Sequence, residues 1–338
     1  MVDRADPVPS TMRFIAHGAG GDPSVLTVAE GPVPTPGPQD LLIAVAYAGV
    51  NGPDIVQRKG KYPPPPGASP VLGLEVSGTV AAIGEEVTQW KVGDAVCALA
   101  PGGGYAEYCI VPAAHCLPLP DGFDLEHAAA IPENFFTVWT NVIERGRLAE
   151  GETILIHGGS GGIGYSAIQV AKAWGATVIA TVGNDDKAAF ARSVGADHVI
   201  NYRTHDFADE VRKIVEKRGV DVILDMVGGE YFKKNLGLLG LEGRLVQIAF
   251  QQGSKVDELD LMPVMMRRLT ITGSTLRAQP AQNKARIAEG LRTRLWPLFA
   301  AGKLRVVIHQ VFGFEDAAAA HTMMESGQHL GKLLLRFR

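Results

Sequence analysis

The sequence predicts an α/β protein of two domains, a doubly wound parallel sheet and an all-β barrel or sandwich. Three observations carry this. Residues 153–175, TILIHGGSGGIGYSAIQVAKAWG, read as buried strand, glycine turn and amphipathic helix. After them strands and helices alternate to Gly273, the pattern of parallel strands joined by crossover helices. Before them, from Met12 to about Pro132, short strands follow one another with turns between, the pattern of an all-β barrel or sandwich.

At 338 residues the chain exceeds the roughly 150 of an ordinary domain, which fits two. A hydrophobic fraction of 46% with 20% charged residues fills a large core. The net charge of -4 offers no basic field, so nucleic acid is not an expected partner. No apolar run reaches membrane-spanning length, and no membrane partner is expected. The first ten residues, MVDRADPVPS, lack an apolar signal region and read as a loose tail on a cytoplasmic protein. Cys97, Cys109 and Cys116 have neither zinc-knuckle nor C-x-x-C spacing and read as free thiols, so no metal site is expected.

In chain order, strands are expected at residues 12–17, 25–30, 40–49, 74–84, 94–100 and 105–112. Proline and glycine clusters separate them. A helix from about Leu125, interrupted at Pro132, ends near Gly146. The second domain then places strands at 153–157, 177–182, 197–201, 220–225, 244–249 and 269–273, with helices at 185–194, from Phe207 to Val215 and at 231–239. Residues 280–302 read as a helix broken near Pro297, with Arg286, Arg292 and Arg294 on its solvated face. Strands at 304–311 and 332–337, separated by a helix at 315–326, return to the first domain. The domains are therefore expected at residues 1–132 with 303–338, and at 133–302.

Gly159, Gly161 and Gly164 spell G-x-G-x-x-G. Free backbone N–H groups at the start of the helix favour an anion there, and a dinucleotide pyrophosphate fits. Ser160 adds a hydroxyl, and Gly162 and Ile163 complete the loop. The second strand ends in Val182, Gly183 and Asn184, with no carboxylate at its tip to select the 2′-OH of NADH. Lys187, and Arg192 beyond it, offer positive charge for a 2′-phosphate. Asp185 and Asp186 count against this unless, as the first turn of a helix, they point away. NADPH is preferred over NADH.

With these pieces placed, the chain resembles the medium-chain dehydrogenase/reductase superfamily, and within it the zinc-free quinone oxidoreductase (zeta-crystallin-like) branch. The blocks that carry this are GVNGPDIVQRKGKYPPPPGASPVLGLEVSGTV, AAAIPENFFTVWTNV, the glycine loop with its flanks, GADHVINY, DMVGG and the terminal GKLLL. The resemblance implies a Rossmann sheet plus a GroES-like β-barrel domain. Zinc alcohol dehydrogenases of the superfamily carry a ligand cysteine where this chain has Asn51, and a His-Glu pair where it has Leu74 and Glu75. Without zinc, no Lewis acid lowers an alcohol's pKa, which implies reduction of activated acceptors.

Carried over residue by residue, the family's cofactor contacts would include Asn51, the loop from Ser160 to Ile163, Gly183 and Lys187. Tyr202 would lie beside the adenosine ribose or its phosphate, or else pack at a strand end. Ala249 and Phe250, with Ser274, Thr275 and Leu276, would flank the nicotinamide at strand ends. Lys332 would close the site from the barrel side. The implied reaction is metal-free hydride transfer from NADPH to a small-molecule quinone or other electron-poor acceptor. Tyr62 and Asn51 are candidates to hydrogen-bond the acceptor oxygen, with Thr137 holding the nicotinamide end. Each has a structural alternative: Tyr62 packing on its proline turn, Asn51 capping the helix that begins at Gly52, Thr137 sitting inside its helix. Glu75 is expected in an ion pair. The family pairs two chains through the last strand of the cofactor sheet, so residues 268–273 are expected at the interface of a homodimer. Rival readings are a reductase of α,β-unsaturated aldehydes or ketones and a non-catalytic NADPH-binding structural protein.

Overall fold

The computed structural model describes residues 7–338; the first six residues of the expected N-terminal tail lie outside them. Two compact units emerge, one holding the chain up to Phe136 together with Arg277–Arg338, the other Thr137–Leu276.

In the second unit every strand pairing is parallel. The strands lie side by side in the order His198–Asn201, Thr177–Val182, Thr153–His157, Val220–Asp225, Leu239–Gln247, Thr270–Gly273. Numbered along the unit this is 3-2-1-4-5-6, with the order reversing at Thr153–His157, where ligands of such sheets bind. That strand is buried at all five positions, as a central strand covered on both faces requires. Leu155, Ile179, Ile223 and Leu245 join Phe207, Val211 and Leu236 of the crossover helices in one core. The strand Leu239–Gln247 begins five residues before its expected start, because Leu239 pairs with Val220 ahead of the irregularity that brings Arg244 opposite Val222.

The first unit holds a seven-stranded sheet ordered Ile308–Gly313, Lys332–Arg336, Asp40–Val50, Glu75–Ile83, Ala95–Leu99, Cys116–Pro118, with Tyr108–Pro112 also paired to Asp40–Val50. A separate hairpin joins Thr11–Ala16 to Thr27–Pro32. The chain's return from its C-terminus is structural: Lys332–Arg336 runs antiparallel to Asp40–Val50, with Leu333 opposite Val50. Leu41, Ile43, Val45, Val76, Leu333 and Leu335 share one core.

The expected domain boundary near residue 302 is corrected to 276/277. Helix Ala281–Arg294 buries Ile287 and Leu291, and Trp296 donates from its indole to the Pro118 carbonyl at 2.8 Å. Phe299 meets Phe123 and Phe135 edge-on, so residues 281–300 belong to the core of the first unit. The helix expected to end near Gly146 divides into Leu125–Ala128, Pro132–Val138 and a π-helical stretch, Trp139–Arg145. Among the described residues no helix is long and apolar enough to cross a membrane.

Candidate functional site

The phosphate turn of the second unit is built by close approach. Gly158 (φ +75°) leaves the strand, and the N–H groups of Gly158 and Gly159 both bond the Thr181 carbonyl, at 3.1 and 2.9 Å. Helix Gly162–Ala173 then starts from Gly161 with no side chain capping it, so its first N–H groups stay available to an anion. A Cβ at Gly164 would stand 2.1 Å from the Gly158 carbonyl oxygen; only glycine lets the helix lie this close to the turn. A Cβ at Gly161 would meet only the Gly158 oxygen, at 3.9 Å, leaving open room beside the Ser160 hydroxyl. A glycine cradle beside a helix start with free donors fits a dinucleotide diphosphate.

Buried polar groups brace this turn. His157 is fully buried; its Nδ1 lies 3.1 Å from Thr181 Oγ1 and its Nε2 2.9 Å from Asn235 Oδ1. Asn235 donates to Asp225 Oδ2 at 3.1 Å, and Asp225 Oδ1 accepts from the Val227 and Gly228 N–H groups. Burial holds the His157 pKa below its ordinary value, so the ring is a neutral spacer. One chain of bonds thereby ties the phosphate turn to the loop after Val220–Asp225. That loop holds residues 250–253 through Gln251 N–H to Met226 O and Gln252 N–H to Val227 O.

At the end of the second strand, Asn184 caps helix Asp185–Ser193 by accepting from the Lys187 N–H at 2.9 Å. Asp185 and Asp186 form the first turn, and Asp185 accepts from Asn201. Tyr202 leans over Gly183, where an added Cβ would lie 2.8 Å from the Tyr202 hydroxyl and 3.6 Å from Arg203 Nε. Burial, with Arg203 as neighbour, lowers the Lys187 pKa. Arg203, absent from the sequence reading, thus joins Lys187 and Tyr202 in a cationic corner around Gly183. Its signal was the next residue of the INY segment, and nothing local tied it to Lys187. Arg192 sits in the last turn of the same helix, away from that corner.

Ala249 and half-exposed Phe250 follow the fifth strand; the Gln247 amide holds the Ala249 carbonyl at 2.6 Å. Ser274 follows the sixth strand and donates to Asn141 Oδ1 at 2.8 Å, while Asn141 holds the Thr137 carbonyl at 2.9 Å. Thr137, the first residue of this unit, is inside helix Pro132–Val138 and nearly buried. Thr275 is exposed and Leu276 buried.

The first unit carries a separate polar cluster. The amide of Asn51 donates to Glu75 Oε1 at 2.9 Å and accepts from Lys332 Nζ at 2.6 Å, and Lys332 also pairs with Glu75 Oε1. Lys332 and Glu75 are 2% and 0% exposed, so the ammonium and carboxylate neutralise each other out of water. Gly49 makes the room: a Cβ there would stand 1.9 Å from Glu75 Oε1. Asn51 precedes helix Gly52–Arg58, but the cap is the Asp54 carboxylate, which accepts the Asn51 N–H at 2.8 Å. Burial pushes the Asp54 pKa up to about 6. Tyr62 is half-buried under the Arg277 guanidinium, 5.5 Å from its ring centroid. Burial, then the nearby Glu133 carboxylate, raises the Tyr62 pKa. Cys97, Cys109 and Cys116 are all buried thiols, and no group of three or more His, Cys, Asp or Glu among the described residues is placed to hold a metal ion.

Two family models match the chain, a zinc-binding dehydrogenase model over residues 162–291 and an alcohol dehydrogenase GroES-like domain over residues 37–121. The phthioceranic/hydroxyphthioceranic acid synthase of Mycobacterium tuberculosis is 34% identical over 98% of this chain, which spans only 15% of that relative's length. A quinone oxidoreductase of Pseudomonas syringae pv. Tomato superposes with a TM-score of 0.86 at 31% identity, covering 96% of this chain and 100% of that one. A mycobacterial protein solved in complex with NADPH gives 0.86 at 30% identity, covering 96% and 100%. The CurK enoyl reductase gives 0.85 at 27%, covering 98% and 100%.

Proposed function

Because the chain belongs to the medium-chain dehydrogenase/reductase superfamily, in its zinc-free enoyl and quinone reductase branch, we propose that it is an NADPH-dependent quinone oxidoreductase. The observation that carries this is the Asn51–Lys332–Glu75 cluster. An amide, an apolar Leu74 and a carboxylate already neutralised by an ammonium stand where a catalytic zinc would need ligands. Such a site does not polarise an alcohol, and its substrates are acceptors already electron-poor.

The residues of the second unit would hold the cofactor. The Gly159–Ser160–Gly161–Gly162–Ile163–Gly164 turn takes the diphosphate. Gly183 and Asn184 give the adenosine room, and Lys187, Tyr202 and Arg203 bind the 2′-phosphate. Ala249, Phe250, Ser274, Thr275 and Leu276, at the ends of the fifth and sixth strands, bound the nicotinamide with Thr137. The cofactor, when bound, supplies a hydride. In the first unit the Tyr62 hydroxyl, without a hydrogen-bond partner among the described residues, orients the acceptor oxygen. Asn51 has both ends of its amide committed, and holds Lys332 in place. Lys332, its charge offset by Glu75, would close the acceptor site at that cluster.

The likeness to the CurK enoyl reductase favours a second acceptor class, α,β-unsaturated carbonyl compounds, which ask for the same groups. Turnover of a simple quinone and a 2-enal, side by side with NADPH and with a chelator present, separates the two. The quinone reading expects faster reduction of the quinone, undiminished by the chelator. Preferential reduction of the enal would move the assignment to enoyl reduction, and activity restored only by zinc would contradict both.

A further inference from the structure

The polar cluster of the first unit falls into two groups. Asn51, Glu75, Lys332, Asp54, Tyr105 and His321 spend their bonds on one another: Tyr105 reaches Asp54 at 3.4 Å and His321 at 3.1 Å, and His321 meets Arg58 at 3.0 Å. Glu133, Tyr62 and Arg277 keep capacity unspent. Among the described residues the Glu133 carboxyl and the Tyr62 hydroxyl have no hydrogen-bond partner. Arg277, 7% exposed, binds Gln57 Oε1 at 2.7 Å and the Pro101 carbonyl at 2.9 Å but leaves Nη2 unpaired. A buried charged donor without a partner is costly, and the spare Arg277 Nη2, with the unpartnered Tyr62 hydroxyl and Glu133 carboxyl, offers what a ligand's polar end would satisfy.

The position of Glu133 is fixed by its own backbone. It stands in the first turn of helix Pro132–Val138, and its N–H donates to Glu75 Oε2 at 2.8 Å. We propose that Glu133 is a further catalytic residue of this site, whose carboxyl gives the proton that accompanies hydride transfer to a conjugated carbonyl acceptor. The assignment rests on the reductase reading above. In the step, a bound nicotinamide would supply a hydride, from its C4–H bond, to the electron-poor end of the acceptor. The displaced π pair collects on the acceptor's carbonyl oxygen, the Glu133 O–H bond breaks, and an O–H bond forms on that oxygen. The cofactor is oxidised by two electrons, the acceptor is reduced by two, and the Glu133 carboxylate regains its proton from water. Tyr62 and the free Arg277 Nη2 hold the oxygen while this occurs.

The surroundings supply what a proton donor at neutral pH needs. Burial, then Glu75, pushes the Glu133 pKa up to about 8, against the opposing pull of Lys332; Asp54 adds to the rise and Arg277 opposes it. Those groups reach it from the strand Glu75–Ile83, the strand Lys332–Arg336, the helix Gly52–Arg58 and the start of the returning chain. Lys284, whose ammonium donates to the Arg277 carbonyl at 2.7 Å, and Tyr62 lie in the same field. A first-turn glutamate is ordinarily held ionised by the helix dipole. Here burial, with the neighbouring carboxylates, outweighs it.

The test is a pair of measurements on the 338-residue chain with NADPH bound. Carbon-13 carboxyl NMR of wild type and Glu133→Gln should show one signal, absent from the variant, that titrates near pH 8; a Glu133 signal titrating between about 4 and 5 would overturn the proposal whatever acceptor the enzyme uses. Steady-state kcat against pH, with the better of the quinone and the enal, should fall above about pH 8 in wild type. Glu133→Gln should lower kcat by about 10²-fold and lose that limb, with its Kd for NADPH unchanged. A variant that keeps both the rate and the alkaline limb would overturn it equally. A wild type that binds NADPH yet turns over neither acceptor, with the NMR signal near 8, would refute the proposed function while sustaining the proton-holding carboxyl.

Discussion

Lys332 shows how one side chain can hold a buried polar cluster together. Its ammonium is buried against Glu75 and Asn51, so removing it strands a carboxylate out of water. Lys332→Met should cost about 3–5 kcal/mol in denaturant unfolding, and adding Glu75→Gln to it should recover most of that loss. Glu133 makes the opposite contribution. The unfolded chain gives up this proton near the ordinary value of 4.5 while the folded protein keeps it to about 8, so the charge opposes folding as pH rises between those values. Glu133→Gln should therefore gain stability relative to wild type at pH 8 and little at pH 4, as thermal melts at the two pH values would show. The sequence made Asn51, Glu75 and Lys332 visible singly. That they meet was hidden, because 281 residues separate Asn51 from Lys332 and only the pairing of the last strand with Asp40–Val50 joins them.

Among the elements, the strand–turn–helix at residues 153–173 was legible because its determinants are local: a fully buried run, a glycine turn, then a helix. Gly164→Ala should push the helix off the turn, costing about 1–3 kcal/mol of stability and weakening NADPH binding, measured by melting and by titration calorimetry. The corner around Gly183 was only half legible. Lys187 is four residues past Gly183, but Arg203 arrives from the neighbouring strand. Lys187→Ala or Arg203→Ala should each weaken NADPH by roughly 10–100-fold, the worth of a charged hydrogen bond, and leave NADH nearly unchanged. The helix at 281–294 was misassigned for a related reason. Its spacing announced a helix, but its partners, His115 on the Ala281 carbonyl and Trp296 on Pro118, are distant in sequence.

Across the whole molecule, the order 3-2-1-4-5-6 and the antiparallel return of the last strand fix which residues each unit gathers. One unit gathers glycine donors and a cationic corner, the other a cluster whose spare polar atoms belong to Tyr62, Glu133 and Arg277. The edge strand Thr270–Gly273 leaves Ile271 exposed, and pairing of two copies along it would make the homodimer expected of the family. The central claim is that the second unit is a binding site for a 2′-phosphorylated dinucleotide. Titration calorimetry of the wild-type protein with NADPH and with NADH tests it most directly. The account predicts one site per chain and NADPH bound at least about tenfold more tightly than NADH. Equal affinity for the two, or binding of neither, would contradict it.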